Sequence, residues 1–100
     1  MTEHVAITLV PTIVTRRWAH IVFARVPGNL AAVVLGAHEC ETLTADAADE
    51  IMKQIARRGA RAVLAGASKE VSTRLGYAAE KNRVLLVERN DIDIETLFRN

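Results

Sequence analysis

The sequence predicts a single α/β domain spanning residues 1–100, of α+β character with a mixed sheet, in the order β-β-β-α-β-α-β-α. Three observations predict it. The first third is rich in β-branched and aliphatic runs broken by Pro11 and by Pro27-Gly28-Asn29. After Thr42 the apolar spacing changes from a period of two to a helical period. Two short apolar runs near the end are then separated by a second helical stretch, the pattern of parallel strands joined by a crossover.

Val5 to Val10 reads as the first strand. Pro11 cannot donate to a ladder and marks an edge, a bulge or a break, after which Thr12 to Thr15 resumes the strand. Arg17 to Val26 is read as the next strand, with His20, Val22, Ala24 and Val26 on one face and Ala19, Ile21, Phe23 and Arg25 on the other. Both faces are partly apolar, so that strand is expected to be central. Pro27-Gly28-Asn29 turns the chain, because proline presets φ and Gly or Asn tolerates positive φ. Leu30 to Leu35 completes an antiparallel hairpin or three-stranded meander.

Gly36 to Thr42 is a polar loop. Thr44 suits a helix N-cap, and Asp46 suits the positive first turn. Ala48, Ile51, Met52 and Ile55 then fall on one helical face, Arg57 and Arg58 lie at the negative end, and Gly59 follows as a C-terminal cap. Arg61 to Ala65 is a short strand, Gly66-Ala67 a turn, and Ser68 the cap of a helix with Val71, Leu75, Ala78 and Ala79 inward. Asn82 ends that helix, and Arg83 to Val87 is a strand buried on both faces. Asp91 or Asp93 caps a final short helix through Leu97 and Phe98.

Composition bounds function. Half the residues are hydrophobic and only Trp18, Phe23, Tyr77 and Phe98 are aromatic, so the core is expected to be aliphatic. With 13 basic and 12 acidic side chains the net charge is +1, which gives no general pull on nucleic acid or anionic lipid. The single cysteine, Cys40, rules out an internal disulfide and a four-thiolate zinc site. No apolar run approaches the roughly 20 residues of a membrane helix. Glu3 and His4 are unlike the start of a signal peptide, and a cytoplasmic location is expected.

From about Leu30 to Phe98 the order of elements resembles the restriction-endonuclease-like fold, a three-layer sandwich, in its Mrr-type branch. The residues that carry the resemblance are a helix ending in Arg57-Arg58-Gly59-Ala60, then Arg61-Ala62-Val63-Leu64-Ala65, a Ser68-opened helix with paired alanines, and a strand leading to a short acidic segment containing Leu97. This is a likeness of packing and capping. The family's metal-dependent cleavage implies a carboxylate on the second strand and a Glu-x-Lys or Gln-x-Lys on the third, with carboxylates holding the metal ions that activate water. Those positions fall near Val33 and Leu35, and no Asp or Glu lies between His4 and His38. None of the family's catalytic residues carries over.

Candidate sites are therefore few. His38, Glu39 and Glu41 around Cys40 are the one cluster with metal-ligand chemistry, set against a solvated loop. Arg16 and Arg17 beside Trp18, with Arg57, Arg58 and Arg61, would bind nucleic acid if both groups met on one face; otherwise they keep a strand soluble and complement a helix dipole. His20 has no Ser or Asp partner at triad spacing. Acidic neighbours make Cys40 a poor nucleophile. Gly66-Ala67-Ser68-Lys69 lacks the phosphate-loop spacing and reads as a turn and a cap. No cofactor is implied. The expected function is a non-catalytic accessory module binding a nucleic acid or protein partner, as a homo-oligomer or within a larger assembly. The alternatives are a structural oligomerisation subunit and a divalent-metal-dependent endonuclease with displaced ligands.

Overall fold

A computed structural model describes residues 3–89. The elements are β1 (His4–Thr8), β2 (Thr12–Ile13), α1 (Arg16–Phe23), β3 (Ala32–Gly36), β4 (Thr42–Leu43), α2 (Ala45–Arg57), β5 (Arg61–Ala65), α3 (Lys69–Lys81) and β6 (Leu86–Glu88). The main sheet has the order β1-β3-β5-β6, and every pairing in it is parallel. A second, two-stranded parallel sheet joins β2 to β4, placing Thr12 opposite Thr42 and Ile13 opposite Leu43. The expected final helix at Asp91 or Asp93 lies outside the described residues.

The opening corrects the sequence-based reading. Arg17 to Val26 is not a strand, and there is no antiparallel hairpin or meander among the described residues; the stretch up to Phe23 belongs to helix α1, in the crossover between parallel strands β1 and β3. The mixed sheet is accordingly a parallel one, and the order is β-β-α-β-β-α-β-α-β. The physical reason is visible in burial. Ala19 and Phe23, four residues apart, are fully buried, and Trp18 and Val22 pack beside them, whereas Ile21 is 61% exposed. That is a helical stripe. Apolar residues on both faces of an assumed strand were two sides of one stripe plus an exposed outlier.

The later elements follow their local signals, with one correction: the strand expected over Arg83 to Val87 as buried on both faces is Leu86–Glu88, half-buried to exposed, and Leu85 before it is 65% exposed, because β6 is the edge of the sheet. Thr44 stands in extended backbone before α2, and its Oγ1 accepts from the Ala47 amide at 3.2 Å. Ser68 does the same for α3 with the Val71 amide, also at 3.2 Å. Gly59 follows α2 with φ of +66°, a conformation that favours glycine. Asn82 closes α3. Strands β5 and β6 pair in parallel, as the helical crossover between them requires.

Successive parallel strands that advance one way across a sheet, with crossovers of one hand, carry their helices on one face. The core agrees. Ile7, Val33, Leu35, Ala62 and Leu64 form one cluster with Phe23 of α1, Ile51, Met52 and Ile55 of α2, and Val71 and Leu75 of α3. Side chains alternate along a strand, so Ala6, Val34, Val63 and Val87 lie on the opposite face of the sheet.

The helix assignment for α1 makes a test. Phe23→Ala is expected to lower the free energy of unfolding in urea by about 3–5 kcal/mol, while Ile21→Ala changes it by less than about 0.5 kcal/mol. A strand would put both side chains on one face, and equal losses would restore that reading.

Candidate functional site

Three places concentrate polar chemistry: the carboxyl ends of β3 and β5, the seam between the helices, and the outer face of α3.

Open parallel sheets present their ligand crevices at the carboxyl ends of strands. Here that end is formed by the turn after β3 and the turn after β5. Ala37, His38, Cys40 and Glu41 face Gly66, Ala67, Ser68, Lys69 and Glu70 across a shallow crevice. Gly66 has φ of +73°, and a Cβ there would collide with the His38 ring, which lies against the Gly66 backbone. Cys40 is buried, with its Sγ 3.9 Å from the Thr42 carbonyl, and burial pushes its thiol pKa up. That is the opposite of what a nucleophile needs. The Ser68 hydroxyl already caps α3.

The sequence joined His38, Glu39 and Glu41 as potential metal ligands. All three side chains are exposed on this loop. Among the described residues, no three His, Cys, Asp or Glu side chains come together to hold a metal ion. Glu39, Glu41 and Glu70 outweigh Lys69 around the crevice, a poor setting for a phosphate.

The helix seam holds what sequence reading missed. Asp49 and Glu50, adjacent on α2, are only 7% and 6% exposed. Arg16 of α1 donates from Nη1 to Asp49 Oδ2 at 2.8 Å and to Glu50 Oε1 at 3.4 Å, and its Nη2 lies 3.5 Å from Asp46 Oδ1. Asn82 at the end of α3 donates to Asp49 Oδ1 at 2.9 Å. Lys53 and Lys81 approach the same carboxylate at 3.4 and 3.8 Å. Glu50 accepts from Gln54 Nε2 at 2.9 Å and lies 3.3 Å from His20 Nε2. Gln54 Oε1 in turn accepts from Arg58 Nη1 at 2.9 Å.

These contacts set the charge states. The Asn82 amide, working against burial and joined by Arg16 and Lys53, holds the Asp49 carboxyl far below the usual carboxylate range. Burial alone would raise Glu50, but the Gln54 bond and the neighbouring His20 and Arg16 outweigh it and lower its pKa. Both groups are ionised and fully partnered. No buried side-chain polar atom among the described residues lacks a hydrogen-bond partner.

The arginines expected to touch nucleic acid are divided by this arrangement. Arg16 is tied to three carboxylates. Arg58 donates to the carbonyls of Gln54, Phe23, Val26 and Pro27, and its guanidinium lies 5.2 Å from the centre of the Phe23 ring. Burial, with Arg57 nearby, lowers its pKa. Arg17 and Arg57 are exposed at opposite ends of the α1–α2 pair, and Arg61 opens β5. The two groups are separated by most of α2, 13 residues long. The structure does not bring the five together.

The outer face of α3 carries Glu70, Thr73, Arg74, Tyr77 and Lys81, at helical spacing beside the buried stripe of Val71, Leu75 and Ala78. Tyr77 is 76% exposed. With Arg74 it borders two adjoining, largely apolar depressions. One runs between α2 and α3 and includes Ala45, Ala78 and Lys81; the other runs along α3 past Thr73 and Lys69.

No family model, curated protein or solved structure matches this chain. Among the described residues, no helix is long and apolar enough to cross a membrane.

The Asp49 network has a pH signature. A carboxylate held below its unfolded value contributes stability above about pH 4 and loses it as pH falls further. Asp49→Asn is expected to cost about 2–4 kcal/mol at pH 7, by leaving Arg16 and Lys53 facing a neutral group. The penalty should shrink steadily below about pH 4, where the wild type sheds the same contribution. Urea unfolding at a series of pH values measures both; a penalty that stays constant with pH would refute the network's ionised form.

Proposed function

We propose that this chain is a binding module without chemistry of its own, docking a protein partner through the outer face of α3 within a larger assembly. The observation that carries the reading is Tyr77, largely exposed beside Arg74 at the junction of two apolar depressions. Tyrosine and arginine are the residue types that most often anchor protein interfaces. Lys69, Arg74 and Lys81 surround the face, and Asp49 at its edge is already neutralised by Arg16 and Lys53. The fitting partner offers an apolar side chain flanked by carboxylates.

What supports the absence of catalysis is the aliphatic β3. Val33 and Leu35, where the nuclease resemblance implies metal ligands, are fully buried beneath the helices. Kinship with the restriction-endonuclease-like sandwich belongs to this proposal through the β3-to-β6 segment alone, because the opening is a strand–helix crossover. Nucleic-acid binding is weakened by the dispersal of Arg16, Arg17, Arg57, Arg58 and Arg61.

A photo-crosslinking amino acid in place of Tyr77, introduced into the full chain in its own cells, tests the reading. It is expected to trap a discrete protein adduct that Arg74→Glu abolishes and Arg57→Glu leaves intact. With the trapped partner purified, Tyr77→Ala should weaken binding about 30-fold, the effect of a residue worth about 2 kcal/mol. Adducts that nuclease digestion removes, or divalent-metal-dependent DNA cleavage by the purified chain, would overturn it.

A further inference from the structure

Strand β1 lies at an edge of the main sheet and pairs with β3 on one side; among the described residues no strand lies on its other side. The bonds at its ends fix the direction of its backbone groups. The Glu3 carbonyl accepts from the Ala31 amide at 3.0 Å, and the Leu9 amide donates to the Gly36 carbonyl at 2.8 Å. Backbone groups alternate sides along a strand. Val5 and Ile7 therefore turn theirs to β3, and Ala6 and Thr8 turn theirs outward. Ala6 and Thr8 are both exposed. Open edges are commonly blunted by charge, proline, a bulge or short length. β1 runs over five residues, His4–Thr8, in unbroken register with β3 and without Asp, Glu, Lys, Arg or Pro. The opposite edge is guarded. β6 has three residues and ends on Glu88, whose carboxylate accepts from the Ser72 hydroxyl at 2.6 Å.

The helix layer leaves the same border apolar. α1 packs on α2 and α2 on α3, so α1 is the outermost helix on the side of β1. Arg16 and His20 turn one flank of α1 to Asp49 and Glu50 of α2, and Ala19 and Phe23 point into the core. At about 3.6 residues per turn, the flank on the far side of the core from α2 carries Trp18 and Val22, and then Ile21. Trp18 and Val22 are half-buried, and Ile21 is 61% exposed. Val5, on the helix side of β1, is half-buried as well. An open ladder and an apolar helix flank thus run together along one border of the molecule.

We propose that a second copy of this chain covers this border, with the two β1 strands paired antiparallel about a two-fold axis beside Ala6. The strand complements itself in that register. Ala6 meets Ala6 as a hydrogen-bonded pair, each amide donating to the other's carbonyl. Val5 meets Ile7 of the other copy as the closer, non-hydrogen-bonded pair, on the helix side of the sheet. His4 stands opposite Thr8, so no like charges face each other. The two four-stranded sheets become one continuous sheet, and the Trp18, Val22 and Ile21 flanks of the two α1 helices face each other above the seam. A contact of this kind closes on itself and removes both open edges. The border lies across the sheet from α3, so the dimer leaves the Tyr77 face of each copy open.

Sedimentation of the full chain tests this. A mass of twice 11.0 kDa is expected between micromolar and millimolar concentration. A mass of 11.0 kDa throughout that range overturns the proposal. Ala6→Pro removes the amide beside the axis, at an edge position where proline is tolerated. It is expected to weaken self-association about 100-fold, the loss of a hydrogen-bonded pair. Tyr77→Ala is expected to leave the mass unchanged. A dimer that folded Ala6→Pro leaves intact, or that Tyr77→Ala dissolves, has its contact elsewhere and refutes the proposal. If Ala6→Pro fails to fold, hydrogen exchange of the wild type decides. The Ala6 amide is expected to exchange more slowly in concentrated than in dilute samples, and equal rates count against the proposal.

Discussion

Two neighbouring carboxylates, Asp49 and Glu50, are buried on the central helix of this fold, and the placement of every helix answers to them. Adjacent ionised groups in a protein interior repel one another and lose hydration. They persist here because cations, amides and an imidazole reach them from each side: Arg16 and the His20 ring from α1, Asn82 and Lys81 from the end of α3, and Gln54 and Lys53 from α2 itself. The chain of contacts continues through Gln54 to Arg58, which holds the carbonyls at the far end of α1. Helix α1 is thus gripped at both ends by α2, start to start and end to end. The two helices must run in the same direction, which is the direction that parallel strands β1, β3 and β5 demand. Buried ion networks are seldom large sources of net stability. Their effect here is geometric, because few arrangements of three helices satisfy all of these groups together.

That geometry also divides the surface by chemistry. Arg16 and Arg58, the most conspicuous cations in the sequence, are turned inward to structural partners. The loop after β3, where nuclease-like chemistry would be sought, presents exposed glutamates beside a buried thiol. The crevice at the sheet's carboxyl end is shaped by the close fit of His38 against Gly66. The outer face of α3 differs from both. It offers an exposed aromatic ring and cations beside apolar depressions. Exposed aromatic surface beside arginine suits recognition, where a packed core gains nothing from it.

The central strand is aliphatic throughout. Every residue of β3 is buried, with helices over Val33 and Leu35. A strand buried on both faces reads as continuous small and aliphatic side chains. A carboxylate at either position would need the kind of partner network that α2 provides, and the sheet offers only alanine, valine and leucine around it.

Local chemistry was enough to place the second half of the chain. Thr44 and Ser68 as caps, Gly59 at positive φ and Asn82 as a terminus all follow from short-range rules, because each depends on residues within a turn of itself, and the helix between β5 and β6 makes their pairing parallel. The aliphatic emptiness of β3 was legible for the same reason. The opening was not. Residues 17–26 alternate well enough to pass for a strand, and they become a helix because Arg16 finds Asp49 and Glu50 more than thirty positions away, while Arg58 caps the other end. Tyr77 was counted only as one of few aromatics; its exposure depends on which side of α3 meets α2. Composition and spacing by themselves determined an aliphatic α/β domain with two capped helices. The tertiary structure decided that the sheet is parallel from its first strand, that Arg16 and Arg58 serve the fold, and which face of α3 is left exposed. Those outcomes rest on charge pairing and burial between distant segments, which no local pattern encodes.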